Sequence, residues 1–138
     1  MPEPVRREDW ERRLADLVNR TRATPYRYGT FDCAVFARMG VEAVTGVELM
    51  PGVEVPKGWL GVAKFMIARG WDDVEAMATE LLGRPCEPHL SRRGDIVSFL
   101  EGGEKHLAVR AGSEALTPSP VGLRVVAPSH WRNAWRVG

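Results

Sequence analysis

The chain has only two cysteines in 138 residues, too few for a disulfide framework, so its stability must come from a packed core. No run approaches the roughly 18 consecutive apolar residues of a membrane span, and the first residues have no apolar core of the signal-peptide kind. Charge of one sign is also missing. The 19 Lys and Arg against 18 Asp and Glu leave a formal +1, without the field that recruits nucleic acid or an anionic membrane. These shortages predict no nucleic-acid partner, no membrane insertion, and synthesis and folding in a reducing cytoplasm.

What is present is ordinary for a soluble domain: 44% hydrophobic and 27% charged residues, with no internal repeat and no low-complexity segment. One domain is expected over residues 1–138, large enough to bury a real core. Arg7 to Asn19 reads as a first helix, because Trp10, Leu14, Leu17 and Val18 form one apolar stripe. The arginines around it, Arg6 and Arg7 included, alternate with Glu8, Asp9, Glu11 and Asp16 and read as a solvated face. A second helix is expected from Cys33 to Val44, stopped near Gly46. Residues 47–58 read as an ordered loop. Trp59 to Ala68 and Asp73 to Leu82 read as two more helices, closed by Gly70 and Gly83, with Asp72 and Glu75 spaced as a capping box.

After Pro85 the period changes. Asp95 to Leu100 and His106 to Ala111 flank a five-residue, glycine-containing connection, the pattern of an antiparallel hairpin. Further short strands are expected at Glu114 to Thr117, Leu123 to Ala127 and Ala134 to Val137. Helices first and strands after define an α+β class, with N-terminal helices packed on a C-terminal antiparallel sheet.

The chemistry-bearing stretch runs from Pro25 to Cys33. Asp32 is a good N-cap residue, which makes Cys33 a first-turn residue, where free backbone N–H groups favour a thiolate. The Asp32 carboxylate opposes that charge. Cys33, Ala37 and Gly40 or Val41 share a face suited to packing on something flat. If that is the sheet, the strand-borne His106 is the partner for a thiolate–imidazolium pair.

Pro25-Tyr26-Arg27-Tyr28-Gly29, then Asp32-Cys33, then Gly94-Asp95-Ile96-Val97-Ser98-Phe99, then His106-Leu107-Ala108-Val109 resembles, in order and character, the NlpC/P60 cysteine peptidases. The resemblance touches roughly residues 25–112 and is closest to a compact phage and prophage branch. There Tyr28 to Cys33, Thr45-Gly46 and Ala134-Trp135-Arg136-Val137 have counterparts. It implies a papain-like fold, cleavage of peptide bonds in the stem peptides of bacterial peptidoglycan, and location in a phage tail or in the cytoplasm of the producing bacterium. Tail-tip or hub proteins would be its partners, and it would need no cofactor or metal. Cys33 would be the nucleophile, His106 the general base, and the Cys33 N–H part of the oxyanion hole. Tyr28 or Tyr26 would line the site beside Asp32, with Trp59 bordering a substrate groove. The sequence departs from the family in two places. Ala34-Val35 replace its serine-glycine, and the third polar residue falls to Glu114, Thr117 or Ser119, of which Thr117 is the expected one. The same architecture used as a structural tail component, without catalysis, is the alternative.

Two other constellations are weaker. Cys86 and His89 stand at metal-ligand spacing, but one half-motif in a proline-rich connector is poor evidence for zinc. Asp95 reads as the residue that ends the turn into the first strand by accepting backbone N–H bonds.

Overall fold

The computed structural model describes residues 5–138; the first four residues of the expected domain lie outside it. Four helices precede five strands: α1 (Trp10–Thr21), α2 (Cys33–Thr45), α3 (Trp59–Ala68), α4 (Val74–Leu82), β1 (Ile96–Glu101), β2 (Glu104–Arg110), β3 (Ala115–Ser119), β4 (Gly122–Val126) and β5 (Trp131–Trp135). The strands form one antiparallel sheet in the order β4-β3-β2-β1-β5. The α+β class is therefore observed.

The pleat sorts the sheet residues into two sets. Ile96, Leu107, Val109 and Trp135 join the helices in the main core, with Leu14, Leu17, Phe36, Val41, Val44 and Met77. Val97, Phe99, Ala108, Ala115, Val126 and Ala134 form a smaller cluster on the opposite face, covered in part by Cys86 and Trp131. Helix α2 lies directly on β2. Gly40 makes the close approach possible, since a Cβ there would stand 3.1 Å from Val109 Cγ2.

Several boundaries move from their expected places. The first hairpin closes through Gly102-Gly103 alone, both at positive φ (62° and 79°), so the connection has two residues and Glu101 and Glu104 are paired. Two consecutive glycines permit the primed turn that suits strand twist. Helix α4 is capped by Asp73, which accepts the Ala76 N–H at 2.8 Å, rather than by an Asp72–Glu75 box. Glu75 turns instead to the sheet, where it accepts from Ser98 Oγ at 2.6 Å and meets Lys105 Nζ at 3.2 Å. The last strand begins at Trp131, earlier than expected, because Trp131 Nε1 donates to Val126 O and the Val137 N–H is taken by Asp95.

The reading of Arg6 as solvated is corrected. Its guanidinium lies over the Trp10 ring at 4.2 Å and donates to Asp95 Oδ1 at 2.9 Å, to Val137 O at 2.9 Å and to Arg93 O at 2.6 Å. Asp95, only 1% exposed, also accepts from the Arg92 and Val137 amides, as expected for a turn-ending carboxylate. The pair ties the segment before α1 to the start of β1 and to the C-terminal end of the chain. Removing one partner strands a buried charge, which costs about 3–5 kcal/mol. Arg6→Ala and Asp95→Ala should each lower unfolding free energy by that order in urea melts, and a loss under about 1 kcal/mol would show that the pair is dispensable.

Candidate functional site

Asp32 shapes the start of α2 with both carboxylate oxygens. Oδ1 accepts the Val35 N–H at 2.9 Å, the N-cap bond, and Oδ2 accepts the Gly29 N–H at 2.8 Å, closing the preceding turn. Arg27 and Phe31 pair across that turn, and Gly29 takes φ +79°. A Cβ on Gly29 would stand 2.1 Å from Pro56 O, so the turn is pressed onto the loop before α3. The Gly58 N–H donates to Tyr28 O at 3.0 Å, so Trp59, 63% exposed at the start of α3, emerges beside this turn. Asp32 is thus buried, with each carboxylate oxygen accepting one backbone N–H.

Cys33 follows in the first turn of α2 and is 6% exposed. Burial pushes its thiol up to about 12, against backbone N–H groups from Leu107, Ala34 and Cys33 itself that pull the other way; the Asp32 carboxylate adds to the rise. Tyr26 packs edge-to-face on Tyr28, with ring centroids 4.9 Å apart. Burial raises the Tyr26 phenol, and charge on Cys33 and Asp32 raises it further, which puts this ring in the field of the thiol. The Tyr26 N–H donates to Ser119 O at 2.9 Å and so joins the end of β3 to the site.

The β2 residue in the same buried cluster as Cys33 is Leu107, whose backbone N–H is among the groups that oppose the rise of the thiol. His106 is the residue immediately before it, paired with Phe99 across β1. Strand alternation sends the His106 ring to the opposite face, where it stacks on Phe99 at 5.2 Å with Nε2 3.3 Å from Glu101 O. The chain therefore brings His106 to the site by its backbone and turns its imidazole away from Cys33. Thr117 is buried, and its hydroxyl donates to Leu107 O at 2.9 Å rather than to an imidazole nitrogen. Of the other residues considered for that third place, Ser119 Oγ donates to Gly122 O, and Glu114 is exposed on the connection into β3.

Pairing of β2 with β3 is confined to Val109 with Leu116 and Arg110 with Ala115. Toward Leu107 the backbone pairing stops, and the Thr117 hydroxyl rather than a β3 backbone N–H takes Leu107 O. Sequence reasoning did not single out Leu107, because a backbone donor has no residue-type signature. Pro118 inside a strand was the available signal that the ladder would break here.

Cys33 and Cys86 are both free. Cys86 is bonded through its backbone to Ala134, beside the sheet. Among the described residues, no group of three His, Cys, Asp or Glu is arranged to hold a metal ion.

Fold and site together define an α+β protein with a helix-terminal thiol buried against an antiparallel sheet. A family model described as a domain of unknown function (DUF6950) matches residues 5–137, and the chain belongs to that family. No curated protein matches it.

The raised thiol has a consequence for stability. From about pH 9 to about pH 12 the unfolded chain gives up a proton that folded Cys33 retains, so stability falls as pH rises through this window. In urea melts taken across that window, Cys33→Ala should show a shallower alkaline loss than the parent, and parallel slopes would contradict the burial of the thiol. Gly29→Ala should separate the turn from the loop before α3 and increase proteolytic cleavage within residues 47–58; an unchanged digestion pattern would count against this packing.

Proposed function

We propose that the protein is a cysteine peptidase of NlpC/P60 type with a papain-like arrangement, acting on peptide bonds of peptidoglycan stem peptides. The observation that carries this reading is that Cys33, at the capped start of α2, packs in one buried cluster with Leu107, the β2 residue that directly follows His106. In this structure the imidazole lies on the opposite face of the sheet, stacked on Phe99, so the catalytic state requires the β2 backbone at His106 to turn over and present the ring to the sulfur. The thiol proton then passes to His106, and Cys33 Sγ bonds to the scissile carbonyl carbon. The oxyanion draws on the Cys33 N–H at the helix start, a contribution worth roughly 3–4 kcal/mol for one preorganised donor. Collapse breaks the C–N bond as His106 protonates the leaving amine, and water hydrolyses the thioester. Tyr26 and Tyr28, in the turn before Cys33, and the exposed Trp59, tied to that turn through the Gly58 N–H on Tyr28 O, would contact the stem peptide. The resemblance to phage and prophage proteins supports a place in a tail tip, with tail or hub proteins as partners and local wall digestion assisting DNA delivery.

A second reading is the same architecture as a non-catalytic tail component. It is favoured by the Thr117 hydroxyl being committed to Leu107 O and by the resting position of the His106 ring.

The two readings separate in one assay. Purified protein, Cys33→Ala and His106→Ala are incubated with peptidoglycan fragments, and new amino termini are counted. The peptidase reading expects release by the parent and a loss of at least about a hundredfold in each variant, the scale of a general-base or nucleophile contribution. Equal release from all three would leave the structural reading.

A further inference from the structure

We propose that α3 is a docking helix for an anionic lipid surface. Its outer face, Leu60, Lys64 and Ile67, would lie among the headgroups, with the apolar side chains reaching the acyl boundary and the lysines meeting lipid phosphates. This reading stands apart from the chemistry assigned to Cys33.

The composition of α3 does not match its position. Eight of the ten residues from Trp59 to Ala68 are apolar, the makeup of a helix enclosed by core, yet none of them is buried. Val62, Phe65 and Met66 are half-buried, with Phe65 edge-to-face on Trp71 at 6.1 Å. Leu60, Lys64, Ile67 and Ala68 recur at i, i+4, i+7 and i+8 and form the outer face, where Leu60 is 55% and Ile67 77% exposed. Trp59 extends the apolar surface toward the turn before Cys33. Contiguous exposed apolar surface marks contact with a partner protein or a membrane, and charge decides between them. From Val55 to Trp71 there is no acidic residue, while Lys57, Lys64 and Arg69 are all exposed. Among the described residues the ion-paired lysine is Lys105, so Lys57 and Lys64 keep uncompensated charges. Lys64 lies at the middle of the helix, and a second copy docked face to face would set it against its own equivalent. A dry protein interface also disfavours a lysine at the centre of its apolar patch. A bilayer surface accepts both features, since Lys64 can snorkel to phosphates while Leu60 and Ile67 reach the acyl chains beside it. The Trp59 ring suits headgroup depth. Ten residues are too few to cross a bilayer, so the helix would lie along its surface. The near-zero net charge of the whole chain does not oppose this, because screening confines the attraction to groups within about 10 Å of the lipid.

The experiment is sedimentation of the purified protein with vesicles of phosphatidylcholine alone and of phosphatidylcholine with about a third phosphatidylglycerol. Two double variants are run beside it, Leu60→Gln with Ile67→Gln and Lys57→Gln with Lys64→Gln. All of these side chains are exposed and glutamine is a good helix former, so both variants should melt as the parent does. The expected result is binding to the anionic vesicles at least about tenfold tighter than to the neutral ones, with a loss of at least about tenfold in the apolar variant and about thirtyfold in the lysine variant. Binding to neither vesicle, equal binding to both, or equal binding by the parent and either variant would overturn the inference. Sedimentation velocity without lipid supplies a further outcome: a parent dimer that the apolar variant converts to monomer would make a second copy the occupant, and would overturn it too. Anionic-vesicle binding that depends on α3, found together with a failed peptidoglycan assay, would remove the peptidase reading and leave this one standing.

Discussion

The contact of α2 with β2 is the constraint on which the site depends. Gly40 has no side chain, and the two isopropyl methyls of Val109 fill the space a Cβ would need, at 3.1 and 3.3 Å. Helix and strand approach each other more closely there than larger side chains would allow. Cys33 lies two turns earlier on the same helical face, so the approach that seats Gly40 over Val109 also carries the thiol to Leu107, two residues earlier on the strand. Among the described residues, no side chain donates a hydrogen bond to the sulfur. Backbone amides and the buried core of Phe31, Phe36 and Leu107 surround it, and burial outweighs the donors, so the resting thiol stays protonated.

Two polar devices hold this arrangement. Asp32 divides its oxygens between the helix it caps and the turn before it, so the approach to Cys33 and the helix that carries it move as one piece. Far along the chain, Asp95 and Arg6 bind the N-terminal segment, the turn into β1 and the backbone of Val137 at one buried point. Both carboxylates sit where backbone N–H groups converge. The Glu75 carboxylate shows the same use of charge. Burial opposes its ionisation, but Ser98, Asn133 and Lys105 outweigh that and hold it below the usual carboxylate range, fastening α4 to the sheet.

Much of the architecture was legible before folding, and the reason is local. The i, i+4, i+7 stripe of α1, the Asp32 cap, the glycine stop at Gly46 with φ 78°, and the span of α3 from Trp59 to Ala68 are all written in neighbouring residues. The differences fell where a distant group competed for a local one. Arg6 looked solvated among nearby acids and instead found Asp95. Glu75 looked like half of a capping box and instead found Ser98 and Lys105. Val137 looked like strand and gave its N–H to Asp95.

The site divides along the same line. Sequence alone determined that Cys33 opens a capped helix, that His106 lies in the second strand of a hairpin, and that an aromatic, glycine-containing turn precedes the thiol, because each depends on residues a few positions apart. Only the tertiary structure decided which residue of β2 shares the buried cluster of the thiol and which way the imidazole faces. A strand's side chains alternate in direction, so the helix packed on one face receives the Leu107 side, and His106 is left on Phe99 across the sheet.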